Sequence, residues 1–164
     1  MRNEGKVFED DFKASIPDDV YYVRQHDSSI GFDIENSPQR FALKSKYDAI
    51  LCKNGFMFCL ELKSTKEKRL SFKGSNPEIQ PKQVENLLIA RRKGGAEAGL
   101  IFNFRTEEET YYVRIEDFVA FTESITKKSV NIKDVRSFGI PLGMRKLKVH
   151  YRYDTAPILN FAAF

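Results

Sequence analysis

Hydrophobic and polar positions along the first third of the chain change from a helical period to an alternating one. Residues 3–15 carry apolar side chains at near-helical spacing ahead of Pro17, which predicts a first helix. The run 20–24 is rich in β-forming residues and predicts a strand. Residues 26–46 are polar, contain Gly, Asn and Pro, and keep no period, so they are expected to form a long loop or a short stalk.

The clearest local signal is the dipeptide Asn54-Gly55 between two β-rich runs, which predicts a hairpin with a two-residue turn. In that register opposite residues have numbers that sum to 109, so Asp48 lies opposite Glu61. Side-chain alternation then gives the hairpin a polar face that carries Asp48, Glu61 and Lys63 at its open end. The other face is expected to pack against a core and consists of Ala49, Leu51, Phe58, Leu60 and Leu62.

The pattern beyond the hairpin predicts a crossover unit. An amphipathic helix over 78–92 ends at Gly94-Gly95 and precedes two β-rich runs, 98–104 and 111–115, joined by a turn. A strand, a helix and another strand in this order favour a mixed α/β sheet with one crossover. The tail is assigned helices at 116–124 and 131–137, an alternating strand at 146–153, and a turn or helix at 157–161.

The composition fits one folded domain over residues 1–164. Of the 164 residues 41% are hydrophobic, with 14 Phe and 7 Tyr, which is enough apolar material for one core. The apolar runs are far shorter than the ~20 residues of a membrane span, and the N-terminus lacks the apolar region of a secretory signal. Two Cys are too few for a disulfide framework, so a reduced, cytoplasmic protein without membrane association is expected.

Positive charge is concentrated in one segment of the chain. The whole sequence has a net charge of +4. Residues 63–93 contain nine Lys or Arg and three Glu, a net of +6, so the remaining residues have a net charge of −2. A neutral-to-acidic body with one basic segment indicates a localised surface that binds phosphate groups.

The polar face of the hairpin is the strongest candidate for chemistry. Carboxylates directly opposite each other on neighbouring strands would have Cβ atoms about 4.5–5.5 Å apart, and like charges there are destabilising. A divalent cation offsets that repulsion, and Mg²⁺ prefers one or two carboxylates together with water and phosphate oxygens. Lys63 points to the same face as Glu61 and could orient or deprotonate the attacking water, or stabilise charge on the phosphorus. The pattern of Asp48, Glu61 and Lys63 is therefore typical of metal-dependent phosphodiester hydrolysis.

A structural interpretation of the same residues stays open at this point. Glu61 and Lys63 could be paired, solvent-facing charges on an edge hairpin, because Glu-x-Lys is frequent in a chain with 30% charged residues. The position of the basic segment favours the chemical interpretation. A basic loop is expected at 66–73, directly after Lys63, so the residues expected to collect phosphates adjoin those expected to cut them.

Several motifs carry a resemblance to a known family. Asp48 followed by a hairpin and Glu61-Leu62-Lys63 resembles the PD-(D/E)xK nuclease core, with Tyr47 in place of the usual Pro. More specifically, the chain resembles RecU-type Holliday junction resolvases, including short forms from phages of Gram-positive bacteria. The motifs that carry this resemblance are Glu9-Asp10-Asp11-Phe12, Tyr21-Tyr22, Lys46-Tyr47-Asp48, Leu60-Glu61-Leu62-Lys63-Ser64, Ser71-Phe72, Gln83, Lys128-Ser129-Val130 and Ile140-Pro141-Leu142-Gly143.

The resemblance implies a restriction-endonuclease-like fold, in which helices flank a mixed β-sheet, and a role for each motif residue. Asp48, Glu61 and the backbone carbonyl of Leu62 would hold Mg²⁺ or Mn²⁺, and Lys63 would be the catalytic lysine. Gln83 would bind or position the water or phosphate, although it could also be an ordinary polar residue on a helix. An acidic residue of the first helix, Glu9, would face the metal, and the alternative is that acids there merely favour the start of a helix.

The implied substrate is a four-way DNA junction, nicked symmetrically during recombination and repair by a homodimer with one active site per subunit. Arg40 and Lys44 lie in the stretch that corresponds to a longer stalk in family members, so junction selectivity rests on fewer residues here. Two alternatives remain: a nuclease of the same core that cuts duplex DNA, and a DNA-binding module without catalysis. The residues expected to bind DNA are Arg40, Lys44, Lys66, Lys68, Arg69 and Lys73.

Overall fold

A computed structural model describes residues 3–24, 28–30, 41–43 and 45–160. The helices in these ranges are α1 (Glu4–Lys13), α2 (Pro81–Gly94), α3 (Ile115–Ser124), α4 (Ile132–Phe138) and α5 (Ala156–Leu159). The strands are β1 (Tyr21–Arg24), β2 (Ser28–Ile30), β3 (Phe41–Leu43), β4 (Ala49–Lys53), β5 (Phe56–Thr65), β6 (Arg69–Ser71), β7 (Glu97–Phe104), β8 (Glu109–Arg114), β9 (Ser129–Asn131), β10 (Ile140–Leu142), β11 (Met144–Lys146) and β12 (Tyr151–Tyr153). No helix within the described residues is both long and apolar enough to cross a membrane.

One six-stranded sheet organises the molecule, with strand order β1-β4-β5-β7-β8-β10. The central strands β5 and β7 are parallel, and the connection between them contains α2. The other neighbours in this sheet pair antiparallel. Three two-stranded ribbons, β2-β3, β6-β9 and β11-β12, complete the strands. The predicted mixed α/β sheet with one crossover and flanking helices is confirmed.

The alternation along β5 divides the interior into two cores. Leu60 and Leu62 pack on the side of α1 and α5, in a cluster that includes Phe12 and Ile158. The opposite side of the sheet packs against α2, α3 and α4. Both faces of β5 are therefore covered, as expected for a central strand in a parallel pair. The predicted apolar face of the hairpin is confirmed, since all five of its members belong to the α1-side core.

The hairpin at residues 54 and 55 also forms as predicted. Asn54 and Gly55 both have positive φ, 51° and 82°, which is the backbone of a tight two-residue hairpin turn. The register pairs residues from Ala49↔Leu60 to Lys53↔Phe56, so the paired numbers sum to 109 along the whole of β4. The predicted pairing continues one residue too far. Asp48 lies just before β4, and its N–H donates to the carbonyl of Leu60 (3.1 Å), so it does not pair with Glu61 in the ladder.

The helix boundaries follow from local capping. Asn3 precedes α1, and its side chain accepts a hydrogen bond from Lys6 N (3.3 Å), which satisfies one free donor of the first turn. The second helix begins at Pro81, where a missing N–H costs nothing, and therefore later than the predicted residue 78.

Three other segments differ from the sequence prediction. The basic stretch 66–73 is not all loop, because β6 pairs with β9 through the buried Leu70 and Val130. Residues 146–153 are not one strand but part of the β11-β12 hairpin, which turns at 147–150. In the predicted loop or stalk, β2 and β3 pair antiparallel. Arg40 and Lys44 lie outside the described residues.

Candidate active site

Glu61 is the centre of the site and the most deeply buried of its charged side chains. It lies on β5 between Leu60 and Leu62, pairs with Leu100 of β7, and has only 3% of its surface exposed. Alternation along the strand directs it to the α2 side of the sheet, away from the leucines beside it. A carboxylate in such a place requires polar partners, since an unpaired buried charge is costly.

Asp48 reaches the same place from the other strand of the hairpin. Its Oδ2 accepts a hydrogen bond from the backbone N–H of Leu62 (2.7 Å). Because the N–H and the C=O of one strand residue point to the same side, the carbonyl of Leu62 also faces Asp48. The shift of Asp48 out of the ladder frees its carboxylate for this contact. The structure thus brings together Asp48, Glu61 and the carbonyl of Leu62.

Two nitrogen donors converge on one oxygen of Glu61. Lys63 Nζ lies 3.1 Å from Glu61 Oε1. Gln83 Nε2 donates a hydrogen bond to the same Oε1 from the first turn of α2. The other end of that amide, Gln83 Oε1, accepts from Gln80 N (2.9 Å) and so caps the helix. One side chain therefore both fixes the start of the helix and contacts Glu61, while its predicted role toward the water or phosphate stays a prediction.

The electrostatics of the cluster favour an added positive charge. Burial, first, and the negative charge of Asp48 together raise the pKa of Glu61 to about 8, although Lys63 opposes the shift. In the absence of metal, this raised pKa favours the protonated form of Glu61 near neutral pH. A buried carboxyl group beside a second acidic side chain equally favours a cation in place of the proton.

The donor set fits a hard divalent ion. Two carboxylates and a backbone carbonyl are oxygen ligands of the kind that Mg²⁺ and Mn²⁺ accept, with further positions left for water or phosphate oxygens. No cluster of three or more His, Cys, Asp or Glu side chains that could hold a metal occurs in the part of the chain that the structure describes. An ion at this site would thus have two carboxylates and rely on the substrate and on water for its other ligands.

Glu9 lies at the margin of the site rather than at its centre. Its carboxylate pairs with Arg24 of β1, and Arg24 also contacts Asp10 Oδ1 (2.8 Å). On the same strand, burial above all raises the pKa of Tyr22 to about 12, with Arg24 opposing the shift and the negative charges of Glu9 and Asp48 adding to it.

Sequence patterns alone do not indicate that Arg24 and Tyr22 belong near the site. In the structure both lie on β1, and Arg24 forms the ion pair with Glu9. The motif Tyr21-Tyr22 marks the position only through the family resemblance. The register of β1 on β4, Arg24↔Ala49, brings Arg24 next to the start of the catalytic hairpin. That pairing joins residues 25 positions apart, so no local sequence pattern predicts that Arg24 lies next to the hairpin.

The predicted DNA-binding residues within the described ranges are exposed and follow the end of β5. Lys66 and Arg69 are exposed to solvent. Lys68 lies 3.8 Å from Glu107 with 77% of its side chain exposed. Lys73 Nζ lies 5.6 Å from the ring centre of Phe72.

A mixed sheet with an acidic pair and a lysine on one central hairpin defines the class as a nuclease of the PD-(D/E)xK kind. The family model described as RecU, recombination protein U, matches residues 12–154. The chain belongs to this family, and the predicted role in recombination is confirmed.

Two individual proteins show the breadth of the resemblance. An uncharacterized protein derived from the SPbeta prophage, YotM of Bacillus subtilis strain 168, is 32% identical over 165 residues, which cover 92% of this chain and 82% of that protein. The structure of Hjc, a Holliday junction resolvase from Archaeoglobus fulgidus, matches with a TM-score of 0.46 and 16% identity over 75% of this chain and 83% of Hjc.

Proposed function

We propose that this protein resolves four-way DNA junctions by symmetric, metal-dependent nicking, with Asp48, Glu61, Lys63 and Gln83 as the catalytic residues. The observation that carries the proposal is the convergence of Asp48, Lys63 and Gln83 on the buried carboxylate of Glu61. An ordinary surface ion pair would not place Glu61 at 3% exposure beside a second acid.

The chain's own groups divide the work of phosphodiester hydrolysis. Asp48, Glu61 and the Leu62 carbonyl would hold Mg²⁺ or Mn²⁺, which when bound supplies Lewis-acid polarisation of the phosphate and a lowered pKa for water. Lys63 Nζ would donate a hydrogen bond to a phosphate oxygen and stabilise the charge that develops on it. Gln83 would hold Glu61 Oε1 in place, and its amide would position the water or phosphate.

Glu9 has a weaker position in this scheme. Its carboxylate pairs with Arg24, and among the described residues it does not form a three-carboxylate metal cluster with Asp48 and Glu61, so a contact with the ion would run through water. We propose it as a residue that positions Arg24 and the edge of the site.

DNA would approach along the basic surface that begins after Lys63. Lys66, Lys68, Arg69 and Lys73 would bind phosphates there, and Arg40 and Lys44 remain predicted contacts outside the described residues. A twofold homodimer would place one active site on each of the two equivalent strands of a junction. The chain would act as one domain in the cytoplasm, in recombination and repair of DNA.

The test compares the wild type with Asp48→Asn and Lys63→Ala on a labelled synthetic four-way junction, with nicked and linear duplexes as competing substrates. With Mg²⁺ or Mn²⁺ the wild type is expected to nick two opposite strands of the junction, and both variants should lose at least ~10³-fold in single-turnover rate, in line with the loss of a key transition-state contact. Junction binding in EDTA should remain, because neither residue is needed to bind phosphates at a distance from the cut.

Three outcomes would contradict all or part of the proposal. Persistent cleavage by Lys63→Ala would show that another group stabilises the transition state. Wild-type protein that binds junctions but leaves them intact with both metals would favour a binding module. Equal cutting of linear duplex and junction would keep the chemistry and remove the junction selectivity.

A further inference from the structure

The hairpin formed by β11 and β12 is a second basic element, which the net charge of the chain conceals. Residues 144–153 contain four Lys or Arg, one His, and no Asp or Glu. They lie outside the 63–93 segment, in a part of the sequence that is acidic on average. The hairpin is anchored to the body: Asp11 of α1 is 3% exposed and accepts from Tyr151 N (2.9 Å) and contacts His150 Nδ1 (2.7 Å).

Two arginines face each other across this hairpin. Arg145 and Arg152 are directly opposite in the antiparallel register. Alternation places them on the face away from α1, since Met144, Tyr151 and Tyr153 pack against the α1-side core. Like charges at directly opposite positions are destabilising, so a bound anion would relieve the repulsion.

Most of the cationic side chains of this hairpin lack an acidic partner among the described residues. Among the described residues Lys146 pairs with Glu108 (3.1 Å), whereas Arg145, Lys148 and Arg152 have no acid within ion-pair distance. Arg145 and Arg152 line an open groove of about 350 Å³. Asp154 also lines this groove, and its Oδ1 accepts a hydrogen bond from Ala156 N (3.0 Å). Arg152 Nη1 donates to the Tyr151 carbonyl (2.9 Å), which leaves its other N–H groups and the whole guanidinium of Arg145 for phosphate oxygens, which arginine binds well.

The hairpin adjoins the basic surface of the active site. Lys66, just after β5, and Val149, at the tip of the β11-β12 hairpin, line the same cavity of about 240 Å³. Arg105 lines the same cavity, and its Nε and Nη1 are buried without a hydrogen-bond partner in the described ranges, although Nη1 is 3.2 Å from Glu4 Oε2. Lys66 lies three residues beyond Lys63, roughly 10 Å along the strand direction.

The geometry points to the β11-β12 hairpin as a phosphate-backbone clamp for a DNA arm that leaves the active site over Lys66. This inference rests on the proposed function, since it assumes that the substrate is DNA. Val149, with 68% exposure, and Leu147, with 37%, lie at the tip of the turn beside the charged groups. A polyanion is the occupant that the charge favours, because three cationic side chains without an acidic partner among the described residues lie on this one short hairpin.

The experiment measures junction affinity without cleavage. A fluorescent four-way junction is titrated in EDTA at several NaCl concentrations with the wild type and with the double variant Arg145→Gln plus Lys148→Gln. Each lost phosphate contact should make the slope of log K against log[salt] less steep by about 0.9. The slope of the double variant should therefore be less steep than that of the wild type by about 1.8. Its affinity at ~0.1 M salt should fall on the order of tenfold. Single-turnover cleavage at saturating enzyme should remain within about twofold of the wild type, because the residues around Glu61 are untouched.

A matched control removes the same charge elsewhere. Arg92 and Lys93 belong to the 63–93 segment, but they are exposed near the C-terminus of α2, at the opposite end of the helix from Gln83. A Cβ added to the neighbouring Gly94 would lie 3.8 Å from Met57 Cε, near the turn end of the β4-β5 hairpin. Arg92→Gln plus Lys93→Gln should leave the slope unchanged, and urea unfolding of both double variants should match the wild type.

Three outcomes would overturn the inference. The slope of the hairpin variant could equal that of the wild type, which would be expected if the hairpin instead bound an acidic protein. Both double variants could lose the same slope, which would show a response to net charge alone. The wild type could fail to bind junctions, which would remove the substrate as well. Wild type that binds with a hairpin-dependent slope but does not cut would instead contradict only the proposed catalysis.

Discussion

Replacing Glu61 with glutamine is expected to stabilise the metal-free protein at alkaline pH while abolishing cleavage. The pKa of Glu61 is raised from 4.5 to about 8, first by burial and then by Asp48. A group whose folded-state pKa is raised contributes stability that is fully present below its unfolded pKa and is lost as the pH rises. For the wild type this loss should occur between pH about 4.5 and about 8. Glutamine mimics the protonated acid, so Glu61→Gln should not show the loss.

The size of the effect follows from the shift. Three and a half pKa units at about 1.4 kcal/mol each set an upper limit of ~5 kcal/mol above pH 8. Relaxation around the charge and water entry reduce this, so we expect about 2 kcal/mol in favour of Glu61→Gln. The amide keeps the acceptor for Lys63 and Gln83, and its NH₂ can donate to Asp48 as the protonated acid does.

Urea unfolding in EDTA at pH 5, 7 and 9 measures this difference, with the exposed Glu67→Gln as a control expected to change stability by less than ~0.5 kcal/mol. The advantage of Glu61→Gln should be small at pH 5 and largest at pH 9. Added Mg²⁺ should stabilise the wild type more than the variant, because it replaces the proton of Glu61. A variant less stable than the wild type at pH 9 would refute the account of a strained acidic pair.

Three further changes test the supporting structure. Gln83→Ala removes the donor to Glu61 and a cap of α2, so it should lower the unfolding free energy by about 1–2 kcal/mol and slow cleavage at saturating metal; an unchanged rate would make Gln83 a cap only. Asp11→Asn replaces one acceptor oxygen with an NH₂ group that faces a donor, either Tyr151 N or His150. The free energy of unfolding in urea should fall by about 1–3 kcal/mol, and an unchanged urea midpoint would contradict this. Gly99→Ala would place a Cβ 2.3 Å from a backbone carbonyl and should cost about 3 kcal/mol or more, whereas Gly5→Ala meets only an ordinary contact and should be neutral or slightly stabilising.

The parts of the fold that sequence patterns predicted are those governed by local chemistry. Asn54-Gly55 requires positive φ at both positions, which fixes the turn and hence the register of β4 on β5. The three-residue strands β6, β9 and β10 are too short to show a period, and they form because long-range partners are available. The alternating sequence 146–153 was wrongly assigned to one strand because its turn lacks the Gly or Asn that usually marks one.

The candidate site was predictable to the extent that it lies on one hairpin. Asp48, Glu61 and Lys63 share that hairpin, and alternation alone placed the last two on one face. The contact of Gln83 with Glu61 depends on how α2 crosses the sheet, which no local pattern specifies. The displacement of Asp48 from the ladder was missed because it depends on the carboxylate contact with Leu62 N, a tertiary feature.

The parallel pairing of β5 with β7 has a consequence for how the acidic pair comes into being. Asp48 and Glu61 meet across a short turn, whereas Phe58 and Glu97 pair across 39 residues. The loop that closes the hairpin costs less chain entropy than the one that docks β7. We therefore expect the hairpin to form before β7 docks, so that water solvates both carboxylates until the crossover closes over them.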